Sequence, residues 1–271
     1  MDYNALNEML HRQLRLQTTP VVVRLAHSAD EVPPKARHPR HTLGVRLTIC
    51  QGFGMARRYG WTLALAAQDI ACTPAALCYG FLRPPADMPN PAEAIAEAFL
   101  SMGYTVDREA QLRELASFPT RAPGEVEAVV VAPLDKATFD PDVVLIYVNP
   151  AQLARLVMAA VYPTGERVHG EFAGIGGSCL DGVLGTLRDQ RPRVVLPGAG
   201  DRIFSSTQDD ELIFAVPGGQ LFAIADALGK AGHDKGIRYP VMTFLAFEPR
   251  PAEAWQRLAA FLEPAREEEN S

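Results

Sequence analysis

Two β-branched apolar runs, EVEAVVVAPL (residues 125–134) and DVVLIYVN (residues 142–149), constrain the fold of this 271-residue chain more than any other feature. Runs of this kind, split by the turn-rich DKATFDP, read as strands and predict neighbouring, central positions in a sheet. Shorter apolar runs at VVVRLA, WTLALA, RVVLPG, ELIFAVP and PVMTFLAFE predict further strands. Between them lie helical patterns: residues 4–16 with Leu6, Met9, Leu10 and Leu14 on one face, AEAIAEAFL, AQLARLVMAAVY, QLFAIADALGKAG and AEAWQRLAAFLEPA. Strands and helices intermix without strict alternation. The expected class is therefore α+β (mixed α/β), a single domain over residues 1–271 with a mixed sheet flanked by helices.

Composition narrows the function classes. Apolar residues make up 48% and charged residues 21% of the chain, ordinary for a globular protein. A formal charge of −6, with Lys and Arg scattered, offers no electrostatic footprint for a polyanion, so no nucleic-acid partner is expected. The first residues, MDYNALNEMLHRQLRL, lack the apolar core of a signal peptide, and no apolar run approaches a membrane span. The expectation is a cytoplasmic protein without a membrane partner, with a homodimer left open.

Four cysteines stand out against this background, because a reducing compartment favours free, catalytic or metal-bound thiols over disulfides. Cys50, Cys72 and Cys78 fall within LTICQGFGMARRYGWTLALAAQDIACTPAALCYGF, and Cys179 lies in GGSCLDGVLG. Their spacing matches no zinc-finger or ferredoxin pattern. Cys50, Cys72 and Cys179 each precede or open a predicted helix: Thr73 with Pro74 is a start signal after Cys72, and Ser178 is an N-cap candidate before Cys179. Amides and the dipole at a helix start favour a thiolate. If the three thiolates converge, soft-ligand logic selects an iron–sulfur cluster, with zinc or copper as alternatives. Three protein thiolates leave one iron of a cluster open, or Cys78 completes a set of four. His38 or His41 could supply nitrogen to a zinc site, although paired surface histidines are more often simply solvated.

The loop Gly174-Ile175-Gly176-Gly177 resembles an anion nest able to hold a phosphate or carboxylate on backbone amides. It lacks the Gly-Lys-Ser/Thr of a P-loop, and Cys179 stands where a dinucleotide fingerprint requires Gly, so neither ATP nor NAD is supported. Arg202 could clamp a small anionic ligand, or form an internal ion pair across its turn. No catalytic triad, zinc-protease motif or close carboxylate pair is recognisable, and no catalytic residue is assigned.

A weak internal echo accompanies these motifs. Cys50 and Cys179 each begin a helix carrying Arg57 or Arg188 near its end, followed by a strand and a turn with Asp69 or Asp201. The echo divides the chain into possible pseudo-repeat halves, residues 20–120 and 121–262, with the two cysteines at equivalent places about a pseudo-twofold axis.

The segments CQGFGMARRYGWTL, DIACTPAALCYGF, VLIYVNPAQLARLVMAAVY, SCLDGVLG and GAGDRIFSSTQDDELIFAVPGGQL, in this order, resemble the uncharacterised ArCR family, domain-of-unknown-function family 169. The resemblance implies no activity. It matches Cys50, Cys72 and Cys179 to recurrent cysteines, and Gly200 with Arg202 to a Gly-x-Arg element, and leaves Cys78 outside the pattern. The leading expectation is a cysteine-built site holding an iron–sulfur cluster or other thiolate-bound metal near a small anionic ligand, in either a redox enzyme or a metal-handling protein. The alternatives are a metal-free binding or regulatory module with structural cysteines, and a cysteine-nucleophile enzyme using Cys72 or Cys179.

Overall fold

The computed structural model describes residues 2–83, 91–232, 239–240 and 252–262. The strand expected over PVMTFLAFE, the connector after Arg83 and the tail REEENS fall outside these residues, apart from Pro240.

Six strands form one sheet: β1 (Val21–Ala26), β2 (Leu63–Ala66), β3 (Ala128–Pro133), β4 (Val143–Val148), β5 (Arg193–Val195) and β6 (Leu212–Pro217), in the order β2-β3-β1-β4-β6-β5. The helices among the described residues are α1 (Tyr3–Leu14), α2 (Pro39–Thr42), α3 (Ile49–Tyr59), α4 (Thr73–Cys78), α5 (Pro91–Ser101) and α6 (Arg108–Ala116). They continue with α7 (Pro150–Val161), a π-helix (Gly177–Gly185), α8 (Thr186–Asp189), α9 (Ala199–Phe204), α10 (Leu221–Leu228) and α11 (Glu253–Ala259). The class is α+β as expected. Every pairing between the six strands is antiparallel where a mixed sheet was expected, and parallel contact occurs as single bridges, including one on each outer edge.

β3 and β4 are buried along their whole length, as their apolar runs require. They are not neighbours, however. β1 lies between them and pairs with both. Its sequence VVVRLA is apolar on both faces, which fits it equally well for the centre. Alternate residues then sort into two cores. Val21, Val23, Val129, Val131, Val143, Leu145, Tyr147 and Ile213 face α3, α4 and the π-helix. Val22, Val130, Val144, Ile146 and Phe214 face α1, α7 and α10.

The strand order reads the same from either edge when β1, β2 and β3 are matched with β4, β5 and β6. Other features follow the match. Arg37 bridges the outer side of β2 and His169 that of β5. After β2, the Asp69 carboxylate accepts from the Ala66 amide at 3.1 Å; after β5, Asp201 accepts from the Gly198 amide at 2.9 Å. A division at residue 120 would assign β3 to the second half, whereas this match keeps it with β1 and β2. The Cys50 helix and the Cys179 helix consequently lie on one face of the sheet, one from each half.

Candidate functional site

α3 begins with a reciprocal capping box between Thr48 and Gln51 and ends at Gly60 in the left-handed conformation, φ 68°. Two glycines inside it allow close packing. A Cβ on Gly52 would meet Leu65 at 2.8 Å, and one on Gly54 would meet the Ser205 backbone oxygen at 2.7 Å. Cys50 sits in the first turn, faces the core, and shares a 3.1 Å hydrogen bond with the Thr48 hydroxyl. A Cβ on Gly200 of α9 would stand 3.7 Å from the Cys50 sulfur, so the GAGDR segment packs directly on this thiol.

α4 starts one residue earlier than its sequence signal suggested. Cys72 itself is the N-cap, and Thr73 and Pro74 are already helical. The helix ends at Cys78, and Tyr79 follows, with its hydroxyl donating to the Cys179 carbonyl oxygen at 2.7 Å. Cys179 lies on the π-helix, a wide helix rare in proteins and frequent at functional sites. Its N-cap is Gly176, φ 70°, rather than Ser178. The Ser178 hydroxyl instead donates to Asp201, whose carboxylate also accepts from the Ser178 amide at 3.0 Å and the Gly198 amide at 2.9 Å. The amides beside the glycine loop are thus engaged by the chain's own carboxylate. Gly174 contributes its carbonyl to the Ala199 amide.

The four cysteines, drawn from three separate segments, belong to a single apolar cluster. Cys50 and Cys78 are buried in it; Cys72 and Cys179 pack against it and are half-buried. All four are free thiols. Burial pushes the Cys50 thiol up to about 12, helped by the Asp201 charge and by Cys72. It pushes Cys78 up to about 12 as well, with Cys72 adding to the effect. Cys179 is raised well above its ordinary value by burial, then by Cys50, Asp201, Cys72 and Cys78. Cys72 is raised by burial and partly relieved by the Ala75 amide. The thiolates expected at helix starts are therefore neutral thiols in the metal-free chain. Desolvation outweighs the dipole and the relief that the Thr48 hydroxyl and the Gln51 amide give Cys50.

Other charged groups surround the cluster. Arg57, two turns along α3 from Cys50, is buried and paired with Glu211 at 2.6 and 2.8 Å. Its guanidinium lies 3.9 Å from the centroid of the Tyr147 ring. Neither partner of this pair was assigned to a site from sequence. Arg202 is paired with Asp209 at 3.4 Å on the exposed side of α9. His38 stands 3.6 Å from buried Asp69. Among the described residues no three His, Cys, Asp or Glu side chains are spaced to hold one metal ion. A groove of about 810 Å³ lies elsewhere, between α7, β5 and α10, and none of the cysteines lines it.

The family model of the uncharacterised ArCR proteins matches residues 9–227, which span α1 to α10 and include all four cysteines. The chain belongs to this family. A relative, the uncharacterized protein MJ0308 of Methanocaldococcus jannaschii, is 29% identical over 233 residues, covering 84% of this chain and 95% of its own length. No solved structure matches the chain. Among the described residues of this ArCR protein no helix is long and apolar enough to cross a membrane.

Proposed function

We propose that this protein holds an iron–sulfur cluster on Cys50, Cys72 and Cys179, with Cys78 as the adjoining fourth thiol, and uses it in redox chemistry on a small anionic ligand. The observation that carries the reading is the gathering of all four cysteines in one apolar cluster beside a buried carboxylate. Several thiolates next to Asp201 would put uncompensated negative charge into the core, which only a bound cationic group can balance. Thiolates on one zinc ion stand about 4 Å apart, because Zn–S is about 2.3 Å in a tetrahedral shell. A cluster distributes its thiolates over separate irons and accepts wider spacing. The thiols lie near enough for Cys50, Cys72 and Cys78 each to act electrostatically on Cys179. The half-buried Cys72 and Cys179 give this site contact with solvent.

The deciding experiment is oxygen-free purification followed by iron, sulfide, zinc and copper analysis, with a Cys50→Ser/Cys72→Ser/Cys179→Ser variant alongside. Iron and sulfide in fixed ratio to parent protein, lost in the variant, support the cluster. Stoichiometric zinc or copper would retain the thiol site and change its chemistry. Unchanged metal content in the variant would overturn the reading. The raised thiol pKa values favour a second reading, a metal-free binding module with structural cysteines, and a colourless, folded, metal-free parent would support it.

A further inference from the structure

The groove of about 810 Å³ lies at the β5 edge of the sheet, apart from the cysteines. Much of its lining is apolar: Ala160 of α7, Ala223 and Ile224 of α10, with Val168 and Pro192 beside them. The chain ties the walls together. Val194 donates its amide to the His169 carbonyl at 3.0 Å, which fixes the wall around His169 along β5. Gln220 donates its side-chain amide to the Gln190 carbonyl at 2.9 Å, which joins the start of α10 to the end of α8. A preformed, largely apolar concavity of this size with a few charged groups is the usual form of a small-molecule site.

Charge in the groove runs against that of the chain. Three guanidiniums line it, Arg167, Arg191 and Arg193, against the carboxylates Glu166 and Asp189, in a protein of formal charge −6. Asp189 is already engaged, accepting from Arg193 at 3.0 Å and from Arg188 at 2.7 and 3.1 Å. Arg167 and Arg191 are exposed, and among the described residues neither makes a hydrogen bond or an ion pair. A solvated arginine alone needs no partner. Two that line one apolar concavity supply both halves of a recognition site, since each guanidinium is a planar fork of donors matched to a carboxylate. We propose that this groove binds a carboxylic acid with an apolar body, the hydrocarbon or aromatic part resting on Ala160, Ala223 and Ile224 and the carboxylate held by Arg167 and Arg191. With three cations against two anions in the lining, the excess is one positive charge, which fits a singly charged head group better than a polyanion. The site is independent of any group on the cysteines.

The test titrates the full chain with anilinonaphthalene sulfonate, a fluorescent monoanion with an aromatic body, and then competes it with decanoate or, at matched ionic strength, with inorganic phosphate. Saturable binding, displaced by decanoate and not by phosphate, is expected. Arg167→Gln/Arg191→Gln should weaken probe binding about tenfold through the loss of its charge-assisted contacts. Both positions are exposed, so this variant should melt with the parent. The charge-matched variant Lys35→Gln/Arg113→Gln changes exposed residues outside the groove and should bind within about twofold of the parent, since salt screens distant charges. Unchanged binding in Arg167→Gln/Arg191→Gln would place the probe elsewhere, and an equal loss in Lys35→Gln/Arg113→Gln would reduce the effect to net charge. Displacement by phosphate would make the groove a site for any anion. Each of these results overturns the proposal, as does the lack of saturable binding.

Discussion

Glu211→Gln probes how far the Arg57 pair supports the thiol face. Arg57 and Glu211 are 4% and 8% exposed, and the guanidinium keeps only the Tyr147 ring, the Thr18 hydroxyl and the Ser206 carbonyl once the carboxylate is gone. Removing one partner of a buried ion pair costs about 3–5 kcal/mol. The glutamine oxygen can still accept one of the two bonds, so the expected loss is the lower part of that range, about 3 kcal/mol. The sign of the pH dependence follows from the carboxyl group. Burial works to raise its pKa, but hydrogen bonds from Arg57 and the Gln208 amide, with the charges of Arg57 and Arg58, hold it below the ordinary value of 4.5. A depressed acid contributes stability that is complete above its unfolded-state pKa and lost as pH falls through the folded one. Urea denaturation should therefore show the full parent–variant gap at about pH 7, and a gap that narrows as pH falls through the depressed pKa of the folded parent's carboxyl, below the ordinary carboxylate range. The Arg57→Met/Glu211→Met double variant should recover most of the loss, because an apolar pair leaves no charge unpaired. A single variant within about 1 kcal/mol of the parent at neutral pH, or a gap that persists in acid, would refute the reasoning.

Three further outcomes are expected. Asp201→Ala strands the buried Ser178 and Gly198 amides and should lose about 2–4 kcal/mol in denaturant titration, whereas Asp201→Asn should lose less. Asp201→Asn should also speed labelling of Cys50 and Cys179 several-fold by removing a nearby negative charge, read by mass spectrometry. Gly54→Ala drives a methyl group into the Ser205 backbone and should cost about 1–3 kcal/mol, with Cys50 labelled faster as α9 is displaced. In the parent at about pH 8, iodoacetamide should modify Cys72 first and Cys50, Cys78 and Cys179 after it, since burial holds Cys50 and Cys78 near 12 and raises Cys179 well above its ordinary value; early modification of Cys78 would contradict the packing.

Local signals carried much of this architecture. Gly60 closes α3, and α7 follows the helical pattern AQLARLVMAAVY, with Asn149 and Pro150 at its start. The runs at β3 and β4 were visible as strands because nearly every side chain in them is apolar. Their separation by β1 was not visible, because three strands apolar on both faces are interchangeable until loops and helices choose among them. The thiols illustrate a second gap. Position at a helix start can be read from Thr48 or from Pro74, but desolvation depends on what covers the sulfur, and that comes from α9 and the π-helix. Arg57 and Glu211 are 154 residues apart, and Asp201 reaches the glycine loop from 23 residues downstream. A lone tyrosine tip inside the otherwise apolar VVLIYV was the one local trace of the polar group at the centre of the face.

The two triplets of strands meet along a short join. β1 and β4 share three facing residue pairs, while β1–β3 and β4–β6 each share six. Cys50, Cys72 and Cys78 come from one side of that join and Cys179 from the other, and the Tyr79–Cys179 hydrogen bond already crosses above it. The proposed group, if gripped by sulfurs from both sides, would act as a rivet across this three-pair join, which is no longer than the β5–β6 pairing at the edge. Removal of such a group would then loosen this line first, so amide exchange should rise at the β1–β4 seam while the interior of each triplet stays protected.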